Sequence, residues 1–189
     1  MRKMKRWVKI VLCVVLALVL LVSAYVAYVL IAYHRLGDMP LTPEGQGDGT
    51  VTAGKPYTVI SYNIGFGAYE DDYGFFMDGG TESWAWSEER LTENVGQIAD
   101  FLREQQADFC LLQEVDFDST RSYHVDEREI LYQALPDKCR VFAQNYDSPF
   151  LLYPLNQPHG ASRSGLLTFS SATITDAKRV ELPVENSVM

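Results

Sequence analysis

Cysteine is scarce in this chain of 189 residues: Cys13, Cys110 and Cys139 are all it has. Cys13 falls inside a long apolar run, and the two that remain make neither a disulfide framework nor a metal-ligand spacing. Cys110, in an apolar stretch, reads as a small buried hydrophobe, while a single Cys110–Cys139 bridge stays open. Acidic side chains are missing from residues 1–35, which hold six bases (Arg2, Lys3, Lys5, Arg6, Lys9 and Arg35). The rest of the chain therefore carries ten bases against all 25 acids, a net −15 inside a total of −9. A body this acidic has no general attraction for a nucleic-acid backbone, which excludes simple polyanion binding. No internal repeat or low-complexity tract occurs. A hydrophobic content of 47% excludes a wholly disordered chain, and the length suits one mid-sized domain rather than two.

What the N-terminal region does have is an uninterrupted apolar run. From Ile10 to Ala32 no residue is charged. As a helix this stretch spans roughly 35 Å, enough for a hydrocarbon core of about 30 Å with some tilt. Trp7, Tyr28 and Tyr33 stand where interfacial aromatics belong, with Tyr25 lying deeper. The bases precede the run, so the positive-inside rule keeps residues 1–9 cytoplasmic, makes 10–33 the membrane span and exports the chain beyond it. The expected location is a single-pass protein of the cell membrane. Val22-Ser23-Ala24 also suits a signal peptidase, but the apolar sequence continues for eight residues past Ala24, longer than an ordinary signal core.

Residues 34–56 are a linker, and from Leu36 onward they are rich in Gly, Pro, Thr and acids without a hydrophobic period, the composition of a flexible tether. The domain occupies 57–189. Tyr57 to Tyr62 reads as a buried strand, and 64–86 as a long Gly- and aromatic-rich loop. Ser87 caps a helix with Glu88 and Glu89 in its first turn, along which Leu91, Val95, Ile98 and Leu102 form one apolar stripe. Phe109 to Leu112 is a second buried strand. Strand, helix and strand make a βαβ unit with parallel strands. A shorter helix runs from Asp126 to Leu135, stopped by Pro136. Further strands are predicted at Arg140–Ala143, Gly165–Phe169 and Ala172–Val184, with a Pro-containing loop at 146–162. The fold class is α/β (α+β).

Two polar residues stand at the C-terminal ends of the two parallel strands, where such sheets place their ligands: Asn63, and Glu114 within Leu112-Gln113-Glu114-Val115-Asp116. A hard cation such as Mg²⁺ takes one or two carboxylates together with waters and phosphate oxygens, and a nearby amide can donate to a phosphate oxygen. Ser61-Tyr62-Asn63, an amphipathic helix, and Ala107-Asp108-Phe109 leading into Gln113-Glu114 resemble the opening half of the endonuclease/exonuclease/phosphatase superfamily. Gly165-Leu-Leu-Thr-Phe-Ser170 is similar to a strand before the middle of that fold. The resemblance covers about residues 57–184. It implies the N-terminal part of a four-layer α/β/β/α sandwich, hydrolysis of phosphate esters with Mg²⁺ (or Mn²⁺ or Ca²⁺), Glu114 as metal ligand, and Asn63 beside the metal and phosphate.

The family's later motifs, Gly-Asp-x-Asn and Ser-Asp-His, do not occur in this chain. They supply the aspartate that orients water and the histidine that stabilises the transition state, terms worth orders of magnitude each. The sequence thus predicts an incomplete N-terminal fragment of a membrane-anchored hydrolase, inactive alone, with a complementary C-terminal chain as a candidate partner. The alternatives are a split enzyme or a non-catalytic tethered module. His159, in a loop before the Gly165 strand, is a candidate for phosphate contact or acid–base work. Arg121 is a candidate phosphate clamp or a surface ion pair. His124 and Asn145 complete the candidate substrate contacts, although a loop histidine such as His124 or His159 is usually a solvated residue. Glu70-Asp71-Asp72 lacks the spacing of a calcium loop, and Gly65-Phe66-Gly67 is no dinucleotide fingerprint. Net charge disfavours long DNA and favours a small phosphoester or a phospholipid head group as substrate.

Overall fold

The computed structural model of the chain describes residues 5–183; Arg2 and Lys3 of the basic segment, and 184–189 with the expected strand end at Val184, lie outside the described residues. Helix α1 runs from Arg6 to Ala32 and is long and apolar enough to cross a membrane. None of its side chains is buried against the rest of the chain, so it is not the core helix of a soluble domain, which would hide one face.

The remainder is mixed α/β. Strands β2 (Val59–Asn63) and β3 (Phe109–Asp116) are parallel and joined through α2 (Glu88–Gln105), as the βαβ reading requires. Helix α3 (Glu127–Ala134) leads to a long antiparallel hairpin of β4 (Cys139–Leu151) and β5 (Gly160–Ser170), and β5 inserts beside β3 to give the order β2-β3-β5-β4. A separate two-stranded ribbon pairs β1 (Met39–Leu41) with β6 (Ala177–Arg179). Ser87 caps α2 by accepting the Arg90 N–H at 3.2 Å, and Asp126 caps α3 by accepting that of Arg128 at 3.1 Å. Each cap satisfies a donor that the first turn leaves free, an effect of about 1 kcal/mol. Leu91, Val95, Ala99 and Leu102 from α2 and Leu131 from α3 bury against Cys110, Leu112, Leu167 and Phe169 of the sheet, forming one core. Ile98 packs at its margin.

Four expectations change. The first strand is not buried: among the described residues β2 is the edge of its sheet, and Val59 and Tyr62 are exposed. The loop expected at 146–162 is shorter, since β4 and β5 extend through its ends. The segment expected to be a flexible tether is pinned to the domain by β1, by the Glu44–Arg140 bridge and by bridges from Asp48 and Gly49 to Ala172. The strand expected over Ala172–Val184 is only three residues long. Cys110 and Cys139 are both buried free thiols, so the open disulfide is not formed. The sheet face opposite α2 and α3 leaves Leu111 and Leu166 exposed.

Candidate active site

The end of the βαβ unit is shaped by a turn and a bulge. After Asn63 the chain turns through Gly65, Phe66 and Gly67, all at positive φ. Phe66 is fully buried beneath it, and a Cβ on Gly67 would come within 2.6 Å of Val95 Cγ2. That position accepts only glycine, on conformation and on space. On β3, the pairing with β5 shifts between Leu112 and Val115, and Glu114 sits in the shift at φ 55°. A left-handed conformation costs a non-glycine residue roughly 1–2 kcal/mol, and bulges re-aim side chains at functional ends of sheets. Gly165 opposite permits the close approach, since a Cβ there would meet the Phe142 ring at 2.4 Å.

The bulge turns Glu114 onto Asn63. Asn63 Nδ2 donates to Glu114 Oε1 at 2.8 Å, while Asn63 Oδ1 accepts the Gly65 N–H at 2.9 Å. The amide is thereby fixed with its NH₂ toward the carboxylate, and one N–H remains free to donate. Glu114 Oε2 accepts no hydrogen bond from the described residues. A groove of about 710 Å³ opens from Asn63 between β2 and α2, lined by Ile60, Tyr62, Ile98 and Phe101 with Asn94 and Gln97. Tyr69 lines it too and hydrogen-bonds Asp78. Burial, then the Asp78 contact and the Glu114 charge, push the Tyr69 phenol well above its ordinary range.

The other candidates are placed differently. Arg121 is neither an exposed clamp nor a surface pair, but is buried and paired twice with Asp116, both contacts at 2.9 Å. Its guanidinium also lies 3.9 Å from the centre of the Phe66 ring. Burial opposes its charge, but Asp116, helped by Glu114 and Glu127, more than offsets this and holds the Arg121 pKa above the ordinary value. Beside it Glu127 is fully buried, accepting the Asp116 N–H at 2.8 Å through one oxygen, with the other unpartnered among the described residues. Burial, then the Asp116 charge, raises the Glu127 carboxyl well above the ordinary value for a glutamate. His159 is also buried, 3.4 Å from Ser83 Oγ and 3.3 Å from Ser162 Oγ. Burial, with the Arg121 charge adding, lowers its pKa to about 4. It is a neutral internal link, not a solvated loop residue or a group in contact with the groove.

His124 is exposed and bonds Asp118 at 2.7 Å, with Arg163 on the other Asp118 oxygen at 2.8 Å. This cluster is separate from the Asn63–Glu114 contact. Asn145 lies elsewhere again, exposed on β4 in a hollow shared with Arg35, Leu166 and Lys178. The acidic triplet is accounted for by Arg90, which pairs with Glu70 and, at 3.1 Å, with Asp72.

Among the described residues no three His, Cys, Asp or Glu side chains lie together as a metal-binding group. The donor set nevertheless suits one mode of Mg²⁺ binding: a single carboxylate with a free oxygen, completed by water and phosphate. Sequence reasoning misses Asp116 and Glu127, because hydropathy scores acids as surface residues. The visible signal is an acid directly after an apolar strand with an arginine five residues on. Comparison with protein-family models, with curated proteins and with solved structures gives no match to this chain.

Proposed function

We propose that the protein is a membrane-anchored, extracytoplasmic, metal-dependent phosphoester hydrolase related to the endonuclease/exonuclease/phosphatase superfamily. In this reading α1 spans the bilayer with its basic end in the cytoplasm, and residues 57–183 form one half of a four-layer sandwich. The observation that carries it is the Asn63–Glu114 hydrogen bond at the C-terminal ends of two parallel strands, with Glu114 held in a strained bulge. Strain of this kind persists where the surroundings over-determine it, and it clusters at sites of function.

Mg²⁺, when bound, would polarise the phosphate ester and lower the pKa of a bound water. Glu114 would hold it through Oε2. Asn63 fixes the carboxylate's orientation and offers its free N–H to a phosphate oxygen. No general base or transition-state histidine is assigned, because His159 is committed to internal contacts with Ser83 and Ser162. The proposal therefore includes a complementary segment or chain packing on the edge of β2 and the open sheet face, which would otherwise leave strand hydrogen-bonding groups and apolar surface exposed. The commitment of Arg121 and His159 to internal partners favours a second reading, a tethered module that binds a phosphoester without turnover.

Mn²⁺ binding followed by paramagnetic resonance on the full chain in detergent separates these outcomes, together with hydrolysis of bis(4-nitrophenyl) phosphate. Binding is expected in the wild type and lost in Glu114→Gln. Equal binding by both proteins overturns the metal assignment. Glu114-dependent binding with no turnover leaves the module, or the need for a complementary chain, standing.

A further inference from the structure

The hairpin of β4 and β5 runs back along α1. His34, just past the helix end, donates its backbone N–H to Asp147 O at 3.4 Å. Farther down the helix, the Phe150 N–H donates to the Tyr28 hydroxyl at 3.1 Å and the Leu152 N–H to the Tyr25 hydroxyl at 2.8 Å. Tyr25 also donates to Phe150 O at 3.4 Å. From Tyr25 up the helix to His34, the partners on the hairpin step from Leu152 back to Asp147. The tip therefore points toward the apolar body of the helix and the base points away from it.

From the geometry we infer that this tip, residues 150–155, is a second membrane contact that enters the outer interface of the bilayer beside α1. The inference rests on the reading of α1 as a membrane span, but not on the catalytic reading. Counting from Ile10 at 1.5 Å per residue, Tyr25 lies about 22 Å and Tyr28 about 27 Å along the axis, inside or at the rim of a core of about 30 Å. Whatever bonds these two phenols lies at that depth.

The tip has the matching chemistry. No charged side chain occurs from Ser148 to Pro158. Tyr153 is 70% exposed and Leu155 83%, with Phe150 and Leu152 also exposed. Phe76 packs on Tyr153 with ring centres 5.8 Å apart, and the neighbouring Met77, 68% exposed, extends the patch. Asp78 is turned back to Tyr69. An unmet backbone donor in the membrane costs several kcal/mol. Tyr28 and Tyr25 accept two of the tip's N–H groups, those of Phe150 and Leu152, which gives the unusual depth of Tyr25 a reason. Because β3 runs antiparallel to β5, with Asp116 opposite Ser164, the same orientation turns the Asn63–Glu114 end of the sheet toward the bilayer.

The test places an NBD label on single cysteines of the full chain in phosphatidylcholine vesicles, with the buried Cys110 and Cys139 replaced by Ala: native Cys13, and Leu155→Cys or Glu104→Cys with Cys13→Ala. Quenching is read with doxyl lipids and with aqueous iodide. Glu104, at the far end of α2, is the aqueous reference. The Leu155 label should be quenched by shallow doxyl groups and lose the iodide quenching seen at position 104. Replacing Tyr25 and Tyr28 together by Phe should restore iodide access at 155 while Cys13 stays quenched by deep doxyl groups. If Cys13 escapes deep doxyl quenching, the span itself fails. If Cys13 is quenched but position 155 behaves like 104, the span stands and the tip contact is overturned. Shielding of position 155 from both quenchers also overturns it, because a protein surface then covers the tip.

Discussion

Glu114 and Asp116 leave the same strand two residues apart, and their surroundings are opposite. Asp116 has no accessible surface, and two Arg121 nitrogens, the Ser122 hydroxyl and the first turns of the chain beyond it close around the carboxylate. Glu114 sits in a bulge, shares one oxygen with Asn63 and leaves the other without a partner among the described residues. A charge sealed in low dielectric persists only when its partners meet its full hydrogen-bonding capacity. A carboxylate with a spare oxygen at a strand end is available to something outside the chain. The difference marks Asp116 as part of the fold and makes Glu114 the carboxylate on which the proposed function rests.

The largest expected effect breaks the closed side of this comparison. Arg121→Met keeps much of the volume over Phe66 but leaves Asp116 buried without its counter-charge, a loss of about 3–5 kcal/mol. The denaturation midpoint of the full chain in detergent should fall accordingly. Adding Asp116→Leu should recover most of that loss, because a buried pair exchanged for apolar groups is often neutral or stabilising. A single variant that melts with the wild type would mean that water reaches this network.

A smaller effect is read through pH. The folded chain keeps Glu127 protonated above the pH at which an unfolded glutamate ionises. Its contribution is therefore complete below about pH 4.5 and declines as pH rises toward its folded pKa, by about 1.4 kcal/mol per unit. His159 works in the other sense. Its folded pKa of about 4 lies below the ordinary 6.5, so its contribution is present above pH 6.5 and is lost as pH falls toward 4. Between pH 4.5 and 6.5 the two slopes oppose each other. Glu127→Gln removes one of them, so the urea midpoint of the variant should gain on the wild type steadily as pH rises. A difference that stays constant with pH would show that Glu127 is ionised in the fold.

These two groups also show where sequence reasoning stops. The βαβ unit is legible because Ser87, the Leu91–Val95–Leu102 stripe and the apolar strands are local patterns, and local patterns place Asn63 and Glu114 at strand ends. Arg121 and His159 look like surface or loop groups in the sequence because their partners come from tertiary packing. Ser83 lies 76 residues before His159. The ribbon joining Met39–Leu41 to Ala177–Arg179 has strands of three residues, too short to show a period. The Val-Ile run of β2 carries the signal of a central strand yet lies at an edge, since propensity reports fit to a pleated surface and not which neighbour is present.

The smallest effect sharpens the open side of the comparison. If Glu114 is held at φ 55° for its chemistry, relieving the strain should not harm the fold. Glu114→Gly loses the Asn63 hydrogen bond, a net term of about 1 kcal/mol, and regains about as much by removing the Cβ from a left-handed conformation. Its stability should match the wild type, while Glu114→Ala, which loses the bond and keeps the strain, should lie about 1 kcal/mol lower. Both variants should lose Mn²⁺ binding. Urea denaturation of the three proteins side by side decides the matter. If Glu114→Gly costs as much as Arg121→Met, the corner is a structural joint like the one two residues away. If it costs nothing and binding disappears, the strain at Glu114 is maintained for the ligand.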